Sequence, residues 1–265
     1  MHRFFVPPES ISDGKATLSG DQAHQIARVL RQAPGDSIVL LDNSGQEYDV
    51  VLTTVSPQLV EANVIQQSRG LGEPDTKITL YQAMLKGDRF DFVLQKCTEL
   101  GVSTFVPIIT ERTVVRRSFE RRTNSRMERW RRIVTEAAEQ SLRARIPEAL
   151  TPVSLEDALR SQPSLALMPW EEERSSGLKD TISKIRNEGR GFSEVSIIIG
   201  PEGGFTAEEA DLAQHHGVQT VSLGQRILRA ETAAIASVAA VCFELGEWEL
   251  WSKPRKTSPP APLSS

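Results

Sequence analysis

With 265 residues, of which 39% are hydrophobic, and a formal net charge of −4, the chain can bury the core of one large or two medium-sized domains. Its two cysteines, Cys97 and Cys242, lack the paired Cys/His spacing of a metal site, so neither a disulfide framework nor a zinc centre is indicated. No apolar run approaches the ~20 residues that span a bilayer, and the first residues lack a signal-peptide pattern. We therefore expect a cytoplasmic protein with reduced thiols, no metal and no membrane partner.

The first 72 residues predict a small β-barrel. Strands are expected at 3–6, 37–42, 48–55 and 58–66, between stretches rich in turn-forming residues. One helix interrupts them, with Ala23, Ile26 and Leu30 at helical spacing. Many short strands with a single helix are typical of a barrel. Residues 67–74, which contain two glycines and a proline, predict a linker.

From residue 73 onward, strands alternate with helices, which is typical of an α/β domain with a largely parallel sheet. Strands are predicted at 78–85, 104–109, 165–168, 195–199 and 218–223. Helices are predicted at 88–100, 125–143, 178–187, 206–217 and 231–245, with Asp88 and Thr206 as N-caps. The last helix is rich in alanine on all sides, which indicates burial under the domain or against a second subunit. The tail 251–265, rich in Pro and Ser, is expected to be disordered.

Positive charge is concentrated in one segment. Residues 112–146 contain 11 Arg and 4 Glu, a local charge of +7 that leaves −11 for the rest of the chain. A run of charge is, by itself, more often a solvated helix face. This segment uses Arg without any Lys, however, and the guanidinium group suits bidentate contacts with phosphate. We therefore expect the segment to contact nucleic acid.

Two stretches near the C-terminus each place an apolar strand before a glycine-bearing loop and a helix. They read Ile-Ile-Ile-Gly-Pro-Glu-Gly-Gly-Phe-Thr at 197–206 and Leu-Gly-Gln-Arg-Ile-Leu-Arg-Ala-Glu-Thr-Ala-Ala at 223–234. Glycine lets a backbone approach a ligand closely because it has no Cβ, so we expect one composite pocket, with a ligand-free tight turn as the alternative for the first loop. Glu202 would repel a phosphate, and no Lys-Ser/Thr pair follows the glycines. A ligand with a cationic centre, an adenine and a ribose fits better.

The second loop carries apolar side chains, whose exposure is unusual unless they cover something. The residues expected to enclose an adenine ring are Leu223, Ile227 and Leu228. Arg229 has two interpretations. It pairs with a nearby carboxylate, Glu231 or Glu202, or it faces a substrate anion.

These two motifs resemble the signature of the RsmE family, the 16S ribosomal RNA uridine N3-methyltransferases of the SPOUT superfamily. Other stretches are similar to the family at 3–5 and 24–31, at 90–102 (Phe-Asp-Phe-Val-Leu-Gln-Lys-Cys-Thr-Glu-Leu-Gly-Val) and at 136–140 (Glu-Ala-Ala-Glu-Gln). The resemblance covers about residues 2–246. One departure is Leu142, where relatives often have a small residue.

The resemblance implies a PUA-like, RNA-binding β-barrel at 1–72 and a SPOUT methyltransferase domain at 73–250. The chain of the second domain would form a trefoil knot, a rare exception to the rule against threaded loops. A homodimer with active sites near the subunit interface is implied as well, with S-adenosylmethionine as the methyl donor. The residues that would hold this cofactor are Met168, Ile199, Gly200, Pro201, Glu202, Gly203, Leu223, Gly224, Ile227, Leu228, Thr232 and Ala233.

Methyl transfer to N3 of a uracil requires loss of the N3 proton, which a base or an anion-stabilising cation accelerates. We expect Arg229 to stabilise the anion and Glu139 or Glu231 to act as the base. The substrate would be 16S rRNA, either free or in the assembled small subunit. The arginines expected to contact this RNA are Arg28, Arg31, Arg112, Arg116, Arg117, Arg143 and Arg145.

Two other functions stay open at this point. The protein could be a SPOUT methyltransferase that acts on another RNA or base. It could also be an rRNA-binding assembly factor whose pocket does not catalyse.

Overall fold

The computed structural model describes residues 1–114, 123–160, 162–163, 165–187 and 193–248. Two β-sheets organise these residues, one within residues 3–69 and the other within 77–221, and each has its own apolar core. None of the described helices is long and apolar enough to cross a lipid bilayer. The tail predicted to be disordered, 251–265, lies outside the described residues.

The N-terminal sheet has six strands and curls around a small core. In chain order they are β1 (Arg3–Phe5), β2 (Ile11–Ser12), β3 (Lys15–Ser19), β4 (Ser37–Leu41), β5 (Gln46–Val55) and β6 (Leu59–Arg69). Their order is β1-β4-β5-β6-β3-β2, with β1 parallel to β4 and the other pairs antiparallel. Phe4 at one end and Leu18 near the other share one buried core, so the sheet must curl. This architecture fits the expected PUA-like domain.

The hairpin of β2 and β3 was missing from the sequence prediction. Its turn is Asp13-Gly14, with φ of 49° and 73°. Both values are left-handed, as a two-residue hairpin turn of this kind requires. The signal was present in the sequence, because Asp-Gly is followed by a strand whose Ala16 and Leu18 alternate with polar residues and are buried.

The predicted helix of this domain is confirmed in position. It begins as α1 (Gly20–His24) and continues as a single π-helical turn (Gln25–Val29). Ala23 and Ile26 are fully buried in the core, as their spacing predicted. Arg31 follows with a left-handed φ of 54°.

The predicted linker 67–74 is instead a tightly packed junction. Strand β6 extends through Arg69, and the two glycines that follow lie against the segment after helix 123–140. A Cβ on Gly72 would lie 2.2 Å from the carbonyl oxygen of Leu142, and a Cβ on Gly70 would lie 2.3 Å from the Cβ of Ala144. These glycines therefore permit a close crossing of two chain segments rather than flexibility.

The second sheet is parallel throughout its paired strands. In chain order its members are β7 (Lys77–Ala83), β8 (Thr104–Ile109), β9 (Glu148–Ala149), β10 (Val153–Ser154), β11 (Leu165–Pro169), β12 (Glu194–Ile199) and β13 (Gln219–Val221). The order is β10-β8-β7-β12-β11-β13, with β9 also beside β8. The predicted α/β class and the five predicted strands are confirmed.

Helices cover both faces of this sheet. They are α2 (Arg89–Glu99), α3 (Thr123–Gln140), α4 (Leu155–Leu159), α5 (Leu178–Asn187), α6 (Ala207–His215) and α7 (Ala230–Leu245). Helices α2, α3, α5 and α7 share one apolar core with the sheet, whereas α4 and α6 share the core on the other face. The alanine-rich α7 lies over β12 and contacts α2 and α5, so its burial within the domain is confirmed.

One predicted cap and one predicted helix boundary were wrong, although α2 begins directly after Asp88 as expected. Asp88 makes no capping hydrogen bond to α2, and its carboxylate instead lies 3.1 Å from Arg129 of α3. Helix α3 ends at Gln140 rather than at residue 143, because Leu142 adopts a left-handed φ of 63°. That turn carries the following residues toward the N-terminal sheet, where Ala144 packs with Phe5 and Leu41.

Candidate functional site

The carboxyl ends of three neighbouring parallel strands form one edge of the second sheet. Strand β11 lies between β12 and β13, so the loops after all three leave the sheet side by side. They are loop A (170–177, after β11), loop B (200–206, after β12) and loop C (222–229, after β13). This edge is where open α/β sheets bind ligands. The two predicted loops, B and C, are brought together, and loop A joins them.

Loop B is shaped by close contacts at its glycines. A Cβ on Gly200 would lie 3.2 Å from the ring of Phe205, and Gly204 has a left-handed φ of 68°. Arg112 supports the loop from outside, because its Nη1 donates to the carbonyl oxygen of Gly203 at 2.8 Å. The loop thus enters α6 in a fixed conformation, with its backbone near the sheet edge.

The start of α6 is the capping box that the sequence predicted. The Oγ1 of Thr206 accepts a hydrogen bond from the backbone N–H of Glu209, and the Glu209 carboxylate accepts one from the N–H of Thr206. The second carboxylate oxygen of Glu209 accepts the N–H of Glu111 at 2.8 Å. Loop B is therefore also tied to the loop after β8.

Glu202, predicted to serve a cationic ligand, is engaged with the start of α2. Its Oε1 accepts the backbone N–H of Lys86 at 3.0 Å and lies 3.2 Å from Nη1 of Arg89. The carboxylate therefore connects loop B to the segment after β7. Its charge is shared with Arg89, which weakens it as a partner for a second cation.

Loop C is the most open of the three. Gly224 has a left-handed φ of 102°, and its N–H donates to the Oγ of Ser222 at 3.2 Å. Ile227 was predicted to cover an adenine, but its side chain is 83% exposed, so it covers nothing within the described chain. Leu223 and Leu228 are half-buried, and Leu223 packs on the core under α7.

Several predicted cofactor residues can reach a ligand only through their backbone. The side chains of Met168 and Ile199 are buried in the cores on opposite faces of the sheet, and Pro201 is buried as well. Their side chains belong to the cores, so their part in holding a cofactor would be through the backbone at the ends of β11 and β12. The other predicted residues lie at the sheet edge. Gly200, Gly203 and Gly224 are in the loops, and Thr232 and Ala233 are in the first turn of α7.

The two interpretations of Arg229 can now be compared. Within the described residues, its guanidinium forms no ion pair: Glu202 is paired with Arg89, and the Oε2 of Glu231 is buried without a partner. Arg229 is exposed at the N-terminus of α7 and next to loop C. The arrangement favours the second interpretation, in which this cation faces a bound anion.

Unpaired buried polar atoms mark the same edge. Among the described residues they include the Oε2 of Glu231, an acceptor, and the indole Nε1–H of Trp170, a donor at the start of loop A. Buried polar atoms normally have hydrogen-bond partners, so these two indicate an absent ligand or water. Ribose hydroxyls, an amino group or a carboxylate are groups that could pair with such atoms.

Glu139, a predicted base, lies elsewhere. Its Oε1 accepts the backbone N–H of Phe5 at 3.0 Å, which places it at the contact between α3 and β1. Burial, and secondarily Glu136, raise the pKa of this carboxyl above its ordinary value of 4.5, although the Phe5 hydrogen bond opposes the shift. The hydrogen bond gives Glu139 a role in joining the two sheets, and the structure does not bring it to the edge formed by loops A, B and C.

We expect Glu139→Gln to retain methyl transfer, because an amide still accepts the Phe5 N–H, whereas loss of a general base would cost about 10²–10⁴-fold. The folded state binds the Glu139 proton more tightly than the unfolded state, so that part of the stability is present at acid pH and lost as pH rises through the raised pKa. The variant should thus gain in melting temperature relative to wild type as pH rises. Glu128→Gln, at an exposed position of the same helix, is the control. A loss of 10²-fold or so in kcat for Glu139→Gln alone would restore the base assignment.

The predicted RNA-contacting arginines divide into different groups. Arg28 and Arg31 are exposed on the N-terminal sheet domain. Arg143 is 2% exposed and forms a buried ion pair with Glu73, so the prediction that it binds RNA was wrong. Arg145 donates to the carbonyl oxygen of Ser44 but remains exposed, and Arg112 holds loop B as described above. Arg116 and Arg117 lie outside the described residues.

Sequence reasoning also missed functional candidates. Trp170 and the rest of loop A lack glycine-rich signals apart from Gly177, and their place beside loops B and C follows from the strand order, which a linear sequence does not display. The signal that was available is a short polar run, Glu171 to Ser176, directly after the buried strand β11.

Comparison with known proteins places this arrangement in a family. The family model described as RNA methyltransferase domain matches residues 72–242, and the one described as RNA methyltransferase PUA domain matches residues 18–65. Ribosomal RNA small subunit methyltransferase E of Bacillus subtilis (strain 168) is 31% identical over 250 residues, which cover 92% of this chain and 97% of the relative. The protein of the same name from Synechocystis sp. is 35% identical over 246 residues, covering 91% and 77%.

A solved structure agrees with these relatives. Ribosomal RNA small subunit methyltransferase E from Neisseria gonorrhoeae, bound to S-adenosyl methionine, superposes with a TM-score of 0.79 at 34% identity, over 92% of this chain and 97% of that chain. With an RNA methyltransferase domain, a PUA domain and this similarity along almost its whole length, the chain belongs to the ribosomal RNA small subunit methyltransferase E family.

Proposed function

We propose that the protein transfers a methyl group from S-adenosylmethionine to N3 of a specific uridine in 16S ribosomal RNA. The observation that carries the proposal is the set of three loops at one sheet edge, in a chain that resembles a relative solved with this cofactor. The cofactor supplies an electrophilic methyl group. The protein's own task is then to bind, to orient and to exclude water.

Named groups at the edge would hold the cofactor. The buried Oε2 of Glu231 can accept from a hydroxyl or ammonium group, and the Nε1–H of Trp170 can donate to a carboxylate or hydroxyl oxygen. Backbone groups at Gly200, Gly203 and Gly224 lie where no Cβ obstructs a ligand.

Arg229 is the proposed stabiliser of the uracil anion that forms when N3 loses its proton. Its guanidinium has no ion-pair partner among the described residues, so its charge is available to a substrate. Glu231, in the first turn of the same helix, is the proposed base. Glu139 is not proposed as the base, because its carboxylate accepts the backbone N–H of Phe5 at the contact between α3 and β1.

Arg28 and Arg31 are proposed to carry RNA phosphate contacts from the N-terminal domain, since both are exposed cations. Replacing both by alanine should reduce the dependence of RNA affinity on salt, because each lost phosphate contact lowers the slope of log K against log [salt] by about 0.7–0.9. Filter binding across a salt series measures this slope. Arg160→Ala, at an exposed arginine directly after α4, should leave the slope unchanged. An unchanged slope in the double variant would mean that these arginines face solvent.

We also propose the domain division 1–72 for RNA binding and 73–250 for methyl transfer, a knotted second domain and a homodimer. Supporting the knot, α7 follows the edge strand β13 but lies over β12 beside α2 and α5, so the chain must cross β11. Supporting the dimer, Phe243 and Trp248 at the end of α7 are 67% and 54% exposed, and large exposed aromatics often mark an interface.

A direct experiment tests the activity. N3 methylation blocks the Watson–Crick edge and halts reverse transcription, so a strain without this protein should lose one stop in its 16S rRNA. Purified protein with S-adenosylmethionine should restore the stop, on free rRNA or on isolated small subunits, and the comparison identifies the physical substrate. An unaltered pattern of reverse-transcription stops would refute methylation at N3 of a uridine in 16S rRNA. The alternative of a non-catalytic assembly factor predicts no calorimetric heat with S-adenosylmethionine at millimolar concentration.

A further inference from the structure

Loop A connects β11 to α5 and has little apolar anchorage of its own. Between Trp170 and Leu178 its residues are Glu, Arg, Ser and Gly. Backbone bonds hold its two ends to β13, from Trp170 N–H to the Val221 carbonyl at 3.0 Å and from Ser222 N–H to the Ser176 carbonyl at 2.8 Å. The middle of the loop needs another constraint if it is to keep one shape.

That constraint is the carboxylate of Glu173. Its Oε1 accepts the backbone N–H and the hydroxyl of Ser175, both at 2.6 Å, and the N–H of Ser176 at 3.1 Å. These bonds close a turn within the loop. Hydrogen bonding by Ser175 lowers the pKa of Glu173 to about 2, so the carboxylate is ionised throughout the neutral range.

The other oxygen of Glu173 reaches across to the next strand. Its Oε2 accepts from the hydroxyl of Thr220 at 2.7 Å, and Thr220 is held in turn by Nε2 of Gln214 on α6 at 2.8 Å. Thr220 is 5% exposed, so this bond is anchored on a buried residue of β13. One side chain thus closes loop A and fixes it to the strand that leads into loop C.

The fixed loop contributes to the ligand edge at two points. Trp170, which begins it, holds the unpaired buried Nε1–H. Glu171 lies against loop B, since its Oε1 is 3.1 Å from the position that a Cβ on Gly204 would occupy. A shift of loop A would therefore move a donor of the site and change its contact with loop B.

We propose that Glu173 is a positioning residue for the cofactor, which holds loop A in its ligand-binding shape before S-adenosylmethionine arrives. The inference rests on the proposed function of the same edge. Preorganisation of this kind lowers the ordering cost of binding. Preorganisation of loop A by Glu173 should raise the affinity for the cofactor without changing the rate of the chemical step, because the role assigned to the carboxylate involves no reacting atom.

Isothermal titration with S-adenosylmethionine tests the proposal. Glu173→Ala should raise the Kd about tenfold, as expected for loss of one hydrogen-bonded charged group, and Glu173→Gln, which keeps one acceptor, should raise it about threefold. Thr220→Val removes the anchoring hydroxyl alone and should also give a rise of about threefold. Glu172→Ala, an exposed neighbour in the same loop, should match wild type.

Steady-state kinetics and amide exchange separate positioning from general damage. In Glu173→Ala, the KM for S-adenosylmethionine should rise while kcat at saturation and the KM for RNA stay near wild type. Exchange should accelerate at 171–177 and not at 200–206. If Glu173→Ala fails to fold, Glu173→Gln and Thr220→Val carry the same test.

The outcomes separate the proposed function from the role of Glu173. A wild-type protein that does not bind S-adenosylmethionine would refute the proposed function and this inference together. A wild type that binds, with all three variants within about twofold of its Kd, would refute the inference alone.

Discussion

Replacing Arg143 by alanine is expected to destabilise the protein by about 3–5 kcal/mol, the range found when one partner of a buried ion pair is removed. The Arg143 side chain is 2% exposed, and its Nη2 lies 2.9 Å from Oε2 of Glu73. Its Nη1 also donates to the carbonyl oxygens of Thr98, in the last turn of α2, and Val102, just beyond that helix, at 3.1 and 2.6 Å. Alanine would remove the guanidinium donor from all three acceptors and leave the Glu73 carboxylate with its backbone partners alone.

The Glu73 carboxylate joins the two halves of the chain. Besides Arg143 it accepts the backbone N–H groups of Ala144 and Arg145, each at 3.0 Å, although it is about 70 residues away in the sequence. The same turn donates to the N-terminal domain, where Ile146 N–H bonds Oδ1 of Asn43 at 2.7 Å. Loss of Arg143 should therefore loosen the contact between the sheets as well as the end of α2.

Urea denaturation of Arg143→Ala measures the predicted loss. Arg160→Ala is the matched control, because Arg160 makes exposed ion pairs on α4 and such pairs contribute about 0–1 kcal/mol. In the double variant Glu73→Gln/Arg143→Met, a neutral amide and an apolar side chain replace the two charges, and part of the stability should return. A change below about 1 kcal/mol in Arg143→Ala would contradict the buried pair and return Arg143 to the list of RNA contacts.

Replacing Arg229 by alanine should lower kcat by about 10²–10³-fold, the usual effect of deleting a preorganised electrostatic stabiliser. The guanidinium lies at the N-terminus of α7, beside loop C, and forms no ion pair among the described residues. Because it is exposed and supports no packing, the melting temperature should not change. Affinity for S-adenosylmethionine should also stay near wild type, since the role assigned to Arg229 is toward the uracil.

Single-turnover methylation of 16S rRNA with saturating cofactor gives the rate of the chemical step for this variant. Arg229→Lys keeps the charge but loses the planar fork, so it should recover part of the rate. Arg160→Ala serves as the control for loss of an exposed arginine. Unchanged kcat in Arg229→Ala, with a raised KM for RNA, would make Arg229 a phosphate contact instead.

Features set by neighbouring residues were predicted well. The capping box of Thr206 and Glu209 depends on a spacing of three residues, and the structure contains both of its hydrogen bonds. The apolar spacing of α2 buries Phe90, Val93 and Leu94, as the sequence indicated. The hairpin turn at Asp13-Gly14 belongs in the same class, because its signal is local and was simply overlooked.

Features set by distant residues were not predictable in this way. The sequence presents Arg143 as one more arginine of a basic segment, and its burial depends on Glu73 and on two carbonyls near the end of α2. Glu139 likewise reads as an exposed helical carboxylate until β1 places the Phe5 N–H against it. Gly70 and Gly72 read as linker glycines until the segment after α3 crosses them.

The sequence by itself determined the class of each domain, the longer strands and helices, the family signature and the two glycine loops, because periodicity, capping and glycine conformation act over a few residues. The tertiary structure alone decided that loop A joins loops B and C, that Ile227 is exposed, and which charged side chains already have a hydrogen-bond or ion-pair partner. The physical reason is that the role of an ionisable side chain depends on its burial and on the partners that fold against it, and both are set by strand order and domain contact.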